Sequence, residues 1–236
     1  MKITDYISSF FKIIYGGSAI LYASVMCGID PKNELKYRKR VSKILTSLIA
    51  EKVIIEGEKD PDAQLLIGNH THNLDISLME SVYEEKLIWV TKKELGDIPI
   101  IKYMVTKTEM ILIDRKNKRS VLQMIKEVKK KIDEGFKVVV FPEGTRNKTN
   151  PQKMLPWKKG VKALAEKINP KVQPFVIVNL PYAFKGNFLI KKAPIKVIFL
   201  ESFYPEDNPH WYEKTREKMQ EILDKEYKKL KEKNEI

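Results

Sequence analysis

Apolar residues recur along this chain with two different periods. Short runs at 64–67, 87–90, 110–113, 138–141, 172–178 and 195–200 are rich in Val, Ile, Leu and Phe. They are bounded by Gly, Pro, Asn or charged residues and read as buried strands. Between them, segments 75–84, 100–105, 120–134 and 156–168 carry a helical pattern. In 120–134 the residues Val121, Ile125, Val128 and Ile132 fall on one helix face. A last helix, 210–233, gathers Met219, Ile222, Leu223, Tyr227 and Leu230 on one side of a charged segment. Apolar strands alternating with amphipathic helices predict an α/β fold, a mostly parallel sheet flanked by helices.

The first part of the chain differs. From 13 to 29 there is no charged residue, a run slightly short of the about 20 residues that usually span a bilayer. Gly16, Gly17, Ser18 and Ser24 dilute it, and Phe10, Phe11, Tyr15 and Tyr22 supply rings suited to the headgroup boundary. It reads as a helix that enters one leaflet or lies in it; a helix buried in a protein core has the same periodicity. Asp30-Pro31-Lys32-Asn33 is a turn and helix start. The spacing of Val41, Ile44, Leu45, Leu48 and Ile49 then predicts a helix over 34–55. Its basic first part, Lys36, Arg38, Lys39, Arg40 and Lys43, suits either an anionic lipid surface or a solvated helix face. Residues 57–62 mark a boundary. It divides the chain into an N-terminal two-helix membrane-docking segment, 1–57, and an α/β domain, 58–236.

Composition narrows the partners. The net charge of +13 points to nucleic acid, an anionic membrane surface or anionic substrates. The lysines are spread through the chain, often beside glutamates, and no recognised nucleic-acid motif accompanies them. The oily N-terminal stretch decides for an anionic membrane surface. Cys27 is the single cysteine, which excludes an internal disulfide framework and argues against a cysteine-based zinc site. No stretch combines the basic start, apolar middle and small-residue cleavage site of a secretory signal. The expected location is the cytoplasmic face of the cell membrane, monotopic or peripheral through residues 1–56.

Two stretches carry candidate chemistry. In Asn69-His70-Thr71-His72-Asn73-Leu74-Asp75, a strand stops at Gly68 and a helix begins near Leu74. A carboxylate five residues after an imidazole, across such a turn, can fold back onto the ring, fix one nitrogen as N–H and leave the other to take a proton. The same residues also suit a helix cap with a first-turn acid. In Phe141-Pro142-Glu143-Gly144-Thr145-Arg146, a strand breaks at proline and runs into a polar turn. Arg115 and Arg146 can each bind phosphate oxygens bidentately, Gly144 permits close backbone approach, and Thr145 offers a hydroxyl. Glu143 can accept from a substrate hydroxyl or fix an arginine. Surface salt bridges and turns use the same residue types.

Together these stretches resemble the glycerolipid acyltransferase family, the lysophosphatidic acid acyltransferases in particular. The resemblance rests on four blocks in order: Asn69-His70…Asp75, Ile113-Asp114-Arg115, Phe141 to Arg146, and Pro174-Phe175, with Lys92-Lys93-Glu94-Leu95 and Ile98-Pro99 as a connecting block. It covers roughly residues 60–180. It implies a glycerol-3-phosphate acyltransferase-like fold. It also implies transfer of a fatty acyl group from an acyl thioester, acyl-CoA or acyl-carrier protein, to the sn-2 hydroxyl of lysophosphatidic acid, giving phosphatidic acid. The thioester is a co-substrate; no cofactor is implied. His70 would be the general base and Asp75 its partner. Arg115, Glu143, Gly144, Thr145 and Arg146 would bind the substrate phosphate, and Asn69 and Pro174 would line the acyl or acceptor pocket.

The chain departs from the family pattern at His72, where Ser is frequent, at Glu109, where Gly is usual and the acyl pocket is open to reshaping, and at Asn147, where Ser is common. Three other readings compete. His70 and His72 could ligate a metal, but only His210 remains to complete a set. The chain could be a non-enzymatic lipid-binding module. It could acylate glycerol 3-phosphate or another lysolipid.

Overall fold

A computed structural model of the chain describes residues 3–114, 117–185 and 189–233. Strands β1 (Ala50–Glu56), β2 (Leu65–Gly68), β3 (Leu87–Lys92), β4 (Ile111–Ile113), β5 (Lys137–Val140), β6 (Val172–Val178) and β9 (Ala193–Phe199) form one sheet in the order β1-β9-β6-β2-β5-β3-β4. β7 (Phe184–Lys185) and β8 (Leu189–Ile190) make a small hairpin beside it. The helices are α1 (Ile3–Ile29), α2 (Glu34–Ile49), α3 (Leu74–Val82), α4 (Lys102–Thr106), α5 (Lys118–Asp133), α6 (Lys159–Ile168) and α7 (Trp211–Glu232). β6 pairs parallel with β2, β2 with β5, β5 with β3 and β3 with β4, whereas β9 runs antiparallel to β6. The α/β reading, with a mostly parallel sheet flanked by helices, is what the chain adopts.

Helices cover both faces of this sheet, so its central strands are apolar on both sides. β2, β5 and β6 are buried at every position. On one face Leu65, Ile67, Val138, Val140, Val172 and Val176 pack against Val128 and Ile132 of α5, Leu164 of α6, and Met219, Leu223 and Tyr227 of α7. On the other, Leu66, Val139, Phe175 and Ile177 pack against Ile49 of α2 and Leu78 and Met79 of α3. Gly68 ends β2 for a steric reason: a Cβ there would lie 2.2 Å from the Phe175 ring.

Two expectations for the N-terminal region change. Helical spacing over 34–55 holds only to Ile49. Ala50–Glu56 is the edge strand β1, paired parallel with β9. Val53-Ile54-Ile55 is a β-branched run, stiff at χ1 and better accommodated on a pleat than in a helix. The basic cluster on α2 is not all at the surface. Arg38, 3 % exposed, reaches Glu34 at 3.2 Å, pairs with Glu80, and donates to the Leu87 carbonyl at 2.8 Å. Lys39 also turns inward, to Glu80 at 3.0 Å and the Tyr83 carbonyl at 2.9 Å. Lys36, Arg40 and Lys43 stay exposed. Two buried glutamates, Glu34 and Glu80, reclaim charges that composition assigns to the membrane face.

Candidate active site

β2 and β5 are parallel neighbours, so the loops leaving their C-terminal ends emerge side by side. The first carries His70 and Asp75 and the second Glu143 to Arg146. Asp75 sits in the first turn of α3 and is fully buried. One of its oxygens, Oδ2, lies 2.7 Å from His70 Nδ1 and accepts the Thr71 N–H at 2.7 Å and the His72 N–H at 2.8 Å. Two backbone donors already converge on this oxygen, which suits a third donor, and the tautomer that presents Nδ1–H to it completes the set. In that tautomer Nε2 carries the free lone pair, and it has no hydrogen-bond partner among the described residues. The His70 ring stacks on Phe141 with centroids 4.0 Å apart and planes 3° from parallel. Ring rotation is thus blocked by an aromatic face on one side and a carboxylate at one nitrogen.

The second loop holds the first in place. Glu143, 1 % exposed, accepts the His70 N–H at 2.8 Å with one oxygen and the Leu155 N–H at 2.8 Å with the other. Asn147 donates its backbone N–H to the His70 carbonyl at 2.8 Å. Its buried side chain closes the following turn, accepting from the Asn150 N–H and donating to the Asn150 carbonyl. The backbone of His70 is therefore held from both sides by the loop after β5, through Glu143 and Asn147. Gly144 has φ +68°, a left-handed conformation that glycine adopts without strain. Burial pushes the Glu143 carboxyl up to about 7, against the two N–H donors that favour its charged form.

His72 stacks on Phe184 of β7 at 4.4 Å, and its Nδ1 accepts the Leu74 N–H at 3.2 Å. Burial, with Arg146 and His70 nearby, lowers its pKa and keeps it neutral, although Asp75 opposes this. Arg146 is half-buried and makes no ion pair or side-chain hydrogen bond among the described residues. A guanidinium held near the histidines without a protein carboxylate suits an anionic ligand.

A family model for the acyltransferase domain matches residues 31–178. The 1-acyl-sn-glycerol-3-phosphate acyltransferase of Helicobacter pylori is 40% identical over 188 residues, covering 79% of this chain and 78% of that protein. The chain belongs to the 1-acyl-sn-glycerol-3-phosphate acyltransferase family. The coconut enzyme of that name is 27% identical over 174 residues, covering 72% of this chain and 56% of its own length. A solved structure, the 1-acyl-sn-glycerophosphate (LPA) acyltransferase PlsC from Thermotoga maritima, superimposes with a TM-score of 0.69. It covers 98% of this chain and 97% of its own at 22% identity, a likeness of fold.

Within this family member, the structure brings His70, Asp75, Glu143, Gly144 and Arg146 to one end of the sheet. Thr145 is exposed in the same turn, and Arg115 lies outside the described residues. Both oxygens of Glu143 are spent on backbone N–H groups, so it shapes the loop that carries His70. Asn69 is likewise committed, exchanging two hydrogen bonds with the Ile177 backbone at 2.9 and 2.8 Å. Pro174 sits opposite Ile67 in the β2–β6 register, on the α7 side of the sheet. Glu109 belongs to a surface ion cluster with Lys86 and Lys131, whose hydrogen bonds lower its pKa to about 2. Sequence reading missed Phe141 as the ring under His70, Phe184 as the ring beside His72, and Asn147 as a loop clamp. Only the Phe141 role had a signal in advance, its place at the end of a motif strand.

Proposed function

We propose that the protein transfers a fatty acyl group from an acyl thioester, acyl-CoA or acyl-carrier protein, to the sn-2 hydroxyl of lysophosphatidic acid, giving phosphatidic acid. His70 Nε2 removes the hydroxyl proton as the oxygen attacks the thioester carbonyl. The C–O bond forms, the C–S bond of the tetrahedral intermediate breaks, and the imidazolium returns its proton to the departing thiolate. Asp75 stabilises that imidazolium and holds its tautomer. Arg146, with Arg115 as its partner in the family motif, takes the acceptor phosphate. No cofactor is required beyond the thioester. The observation that carries this reading is the joining of the two motifs: Asp75 on His70 Nδ1, and Glu143 on the His70 backbone.

α1 is long and apolar enough to cross a bilayer by length and composition, with most of its surface exposed. We read it as lying in the cytoplasmic leaflet of the cell membrane. An acceptor with a long acyl chain stays in the bilayer, because each buried CH₂ contributes about 0.8 kcal/mol. The test is mass spectrometry of products after incubation with one thioester donor and a mixture of lysophosphatidic acid, glycerol 3-phosphate and neutral or zwitterionic lysolipids. Phosphatidic acid as the dominant product is expected. Preferential consumption of another acceptor would overturn the substrate assignment.

A further inference from the structure

α1 is packed along the protein over most of its length. Ser9, Gly16, Ala23, Ser24 and Cys27 form its buried seam. Ser9 Oγ accepts the Ile190 N–H of β8 at 3.0 Å, and the Met104 N–H of α4 reaches Ser24 Oγ at 3.4 Å. A methyl group added at Gly28 would lie 3.0 Å from the Tyr103 ring. From Ser9 to Gly28 is about 30 Å of helix. Because β2, β3 and β6 are parallel, the segment leaving β3 and the hairpin leaving β6 emerge on the same edge as His70. α1 therefore crosses the catalytic edge, touching the hairpin near one end and α4 near the other.

The segment after β3, through the start of α4, leaves apolar side chains partly exposed. Ile98, Ile100 and Tyr103 are 40%, 39% and 41% exposed, and α4 packs on the part of α1 that also exposes Leu21, Val25 and Ile29. Lys92, Lys93, Lys102 and Lys107 are exposed around them and outnumber Glu94 and Asp97. An apolar centre with a cationic rim, continuous with an oily helix and on the edge where the acceptor lipid must arrive, matches an anionic leaflet. We propose that Ile98, Ile100 and Tyr103 insert into the same leaflet as α1, giving the α/β domain its own lipid contact next to the active site. This rests on the membrane-docked reading of α1.

Single tryptophans at Ile100 or Leu122 in the full chain test it, since Trp89, Trp157 and Trp211 are buried and Leu122 is an exposed apolar residue on α5. The probe is vesicles of equal phosphatidylcholine and phosphatidylglycerol with brominated acyl chains. Ile100→Trp should be quenched about twofold or more beyond Leu122→Trp, as expected of insertion to the headgroup–acyl boundary. The paired change Ile98→Glu with Ile100→Glu, folded by circular dichroism, should weaken vesicle partition by about tenfold. Equal quenching at the two positions, or unchanged partition, would overturn the proposal. So would blue-shifted emission at position 100 without quenching, the sign of burial against a second copy. A parent chain that fails to sediment with vesicles removes the membrane reading itself. A sedimenting chain with an unquenched Ile100→Trp removes only this contact.

Discussion

Glu143→Gln separates a loop-shaping carboxylate from a substrate-binding one. In the folded protein its two oxygens accept the N–H groups of His70 and Leu155. An amide keeps one acceptor and turns an NH₂ toward the other donor. A buried donor left unpaired costs about 1–3 kcal/mol, so the variant should be less stable at acidic pH. The pH dependence sharpens the test. The carboxyl titrates at an ordinary 4.5 when unfolded and about 7 when folded. A raised folded value favours the protonated folded state, so this stability is fully present below 4.5 and is lost as pH rises through 7. The loss sums to about 3 kcal/mol, at 1.36 kcal/mol per pKa unit. About 2 kcal/mol of it falls between pH 5 and 8. The substituted amide does not titrate, so the parent's advantage should shrink by that amount over the same range. For a chain of this size the change corresponds to about 5 °C in Tm. Thermal unfolding of both proteins in one detergent, at several pH values, measures it, with the other titrating groups cancelling in the difference. Parallel stability curves, with a gap constant to within about 0.5 kcal/mol, would refute the buried, raised carboxyl. Because the His70 backbone loses an anchor, kcat should also fall more than either KM rises.

Three further outcomes are expected. Arg146→Ala removes a charge-assisted phosphate contact of about 1.5–3 kcal/mol, raising the lysophosphatidic acid KM about 10–100-fold and leaving the donor KM nearly unchanged; a rise confined to the donor KM would move Arg146 to the carrier site. Arg38→Ala removes the charge-assisted hydrogen bonds to Glu80 and Glu34 but leaves Lys39 on the first and Lys86 on the second, so it should cost about 1.5–3 kcal/mol in denaturant unfolding; a loss below about 1 kcal/mol would mean that the two lysines and water compensate those carboxylates. Gly68→Ala drives a methyl into the Phe175 ring and should lower stability by about 1–3 kcal/mol, read as a lower Tm.

The strands that position the site were legible because burial on both faces makes them continuous apolar runs. The six strands expected from the pattern match β2, β3, β4, β5, β6 and β9 within a residue or two. β1 was hidden: its apolar residues extend the α2 pattern without a break, and only pairing with β9, far away in sequence, decides for a strand. β7 and β8 are two residues each, too short to carry a period. The same limit governs the site. His70 and Asp75 are five residues apart, so a local turn brings them together. Glu143 meets the His70 backbone only because β2 and β5 are neighbours, and nothing local distinguishes an acid aimed at substrate from one spent on N–H groups. Arg38 shows the converse. Beside Lys36, Lys39 and Arg40 it reads as membrane-facing charge, yet a partner 42 positions away, Glu80, draws it inside.

The central claim is that His70, oriented by Asp75, is the base that activates the acceptor hydroxyl. The most direct measurement is the turnover of thioester with lysophosphatidic acid by the parent, His70→Ala and Asp75→Asn, following thiol release and phosphatidic acid together. Loss of a general base predicts a fall in kcat of about 10²–10⁴ for His70→Ala, with acceptor binding retained. Asp75→Asn should fall in the same range, because one oxygen can keep the backbone N–H groups but no longer balances the imidazolium charge. A folded His70→Ala protein that turns over within about threefold of the parent would contradict the account.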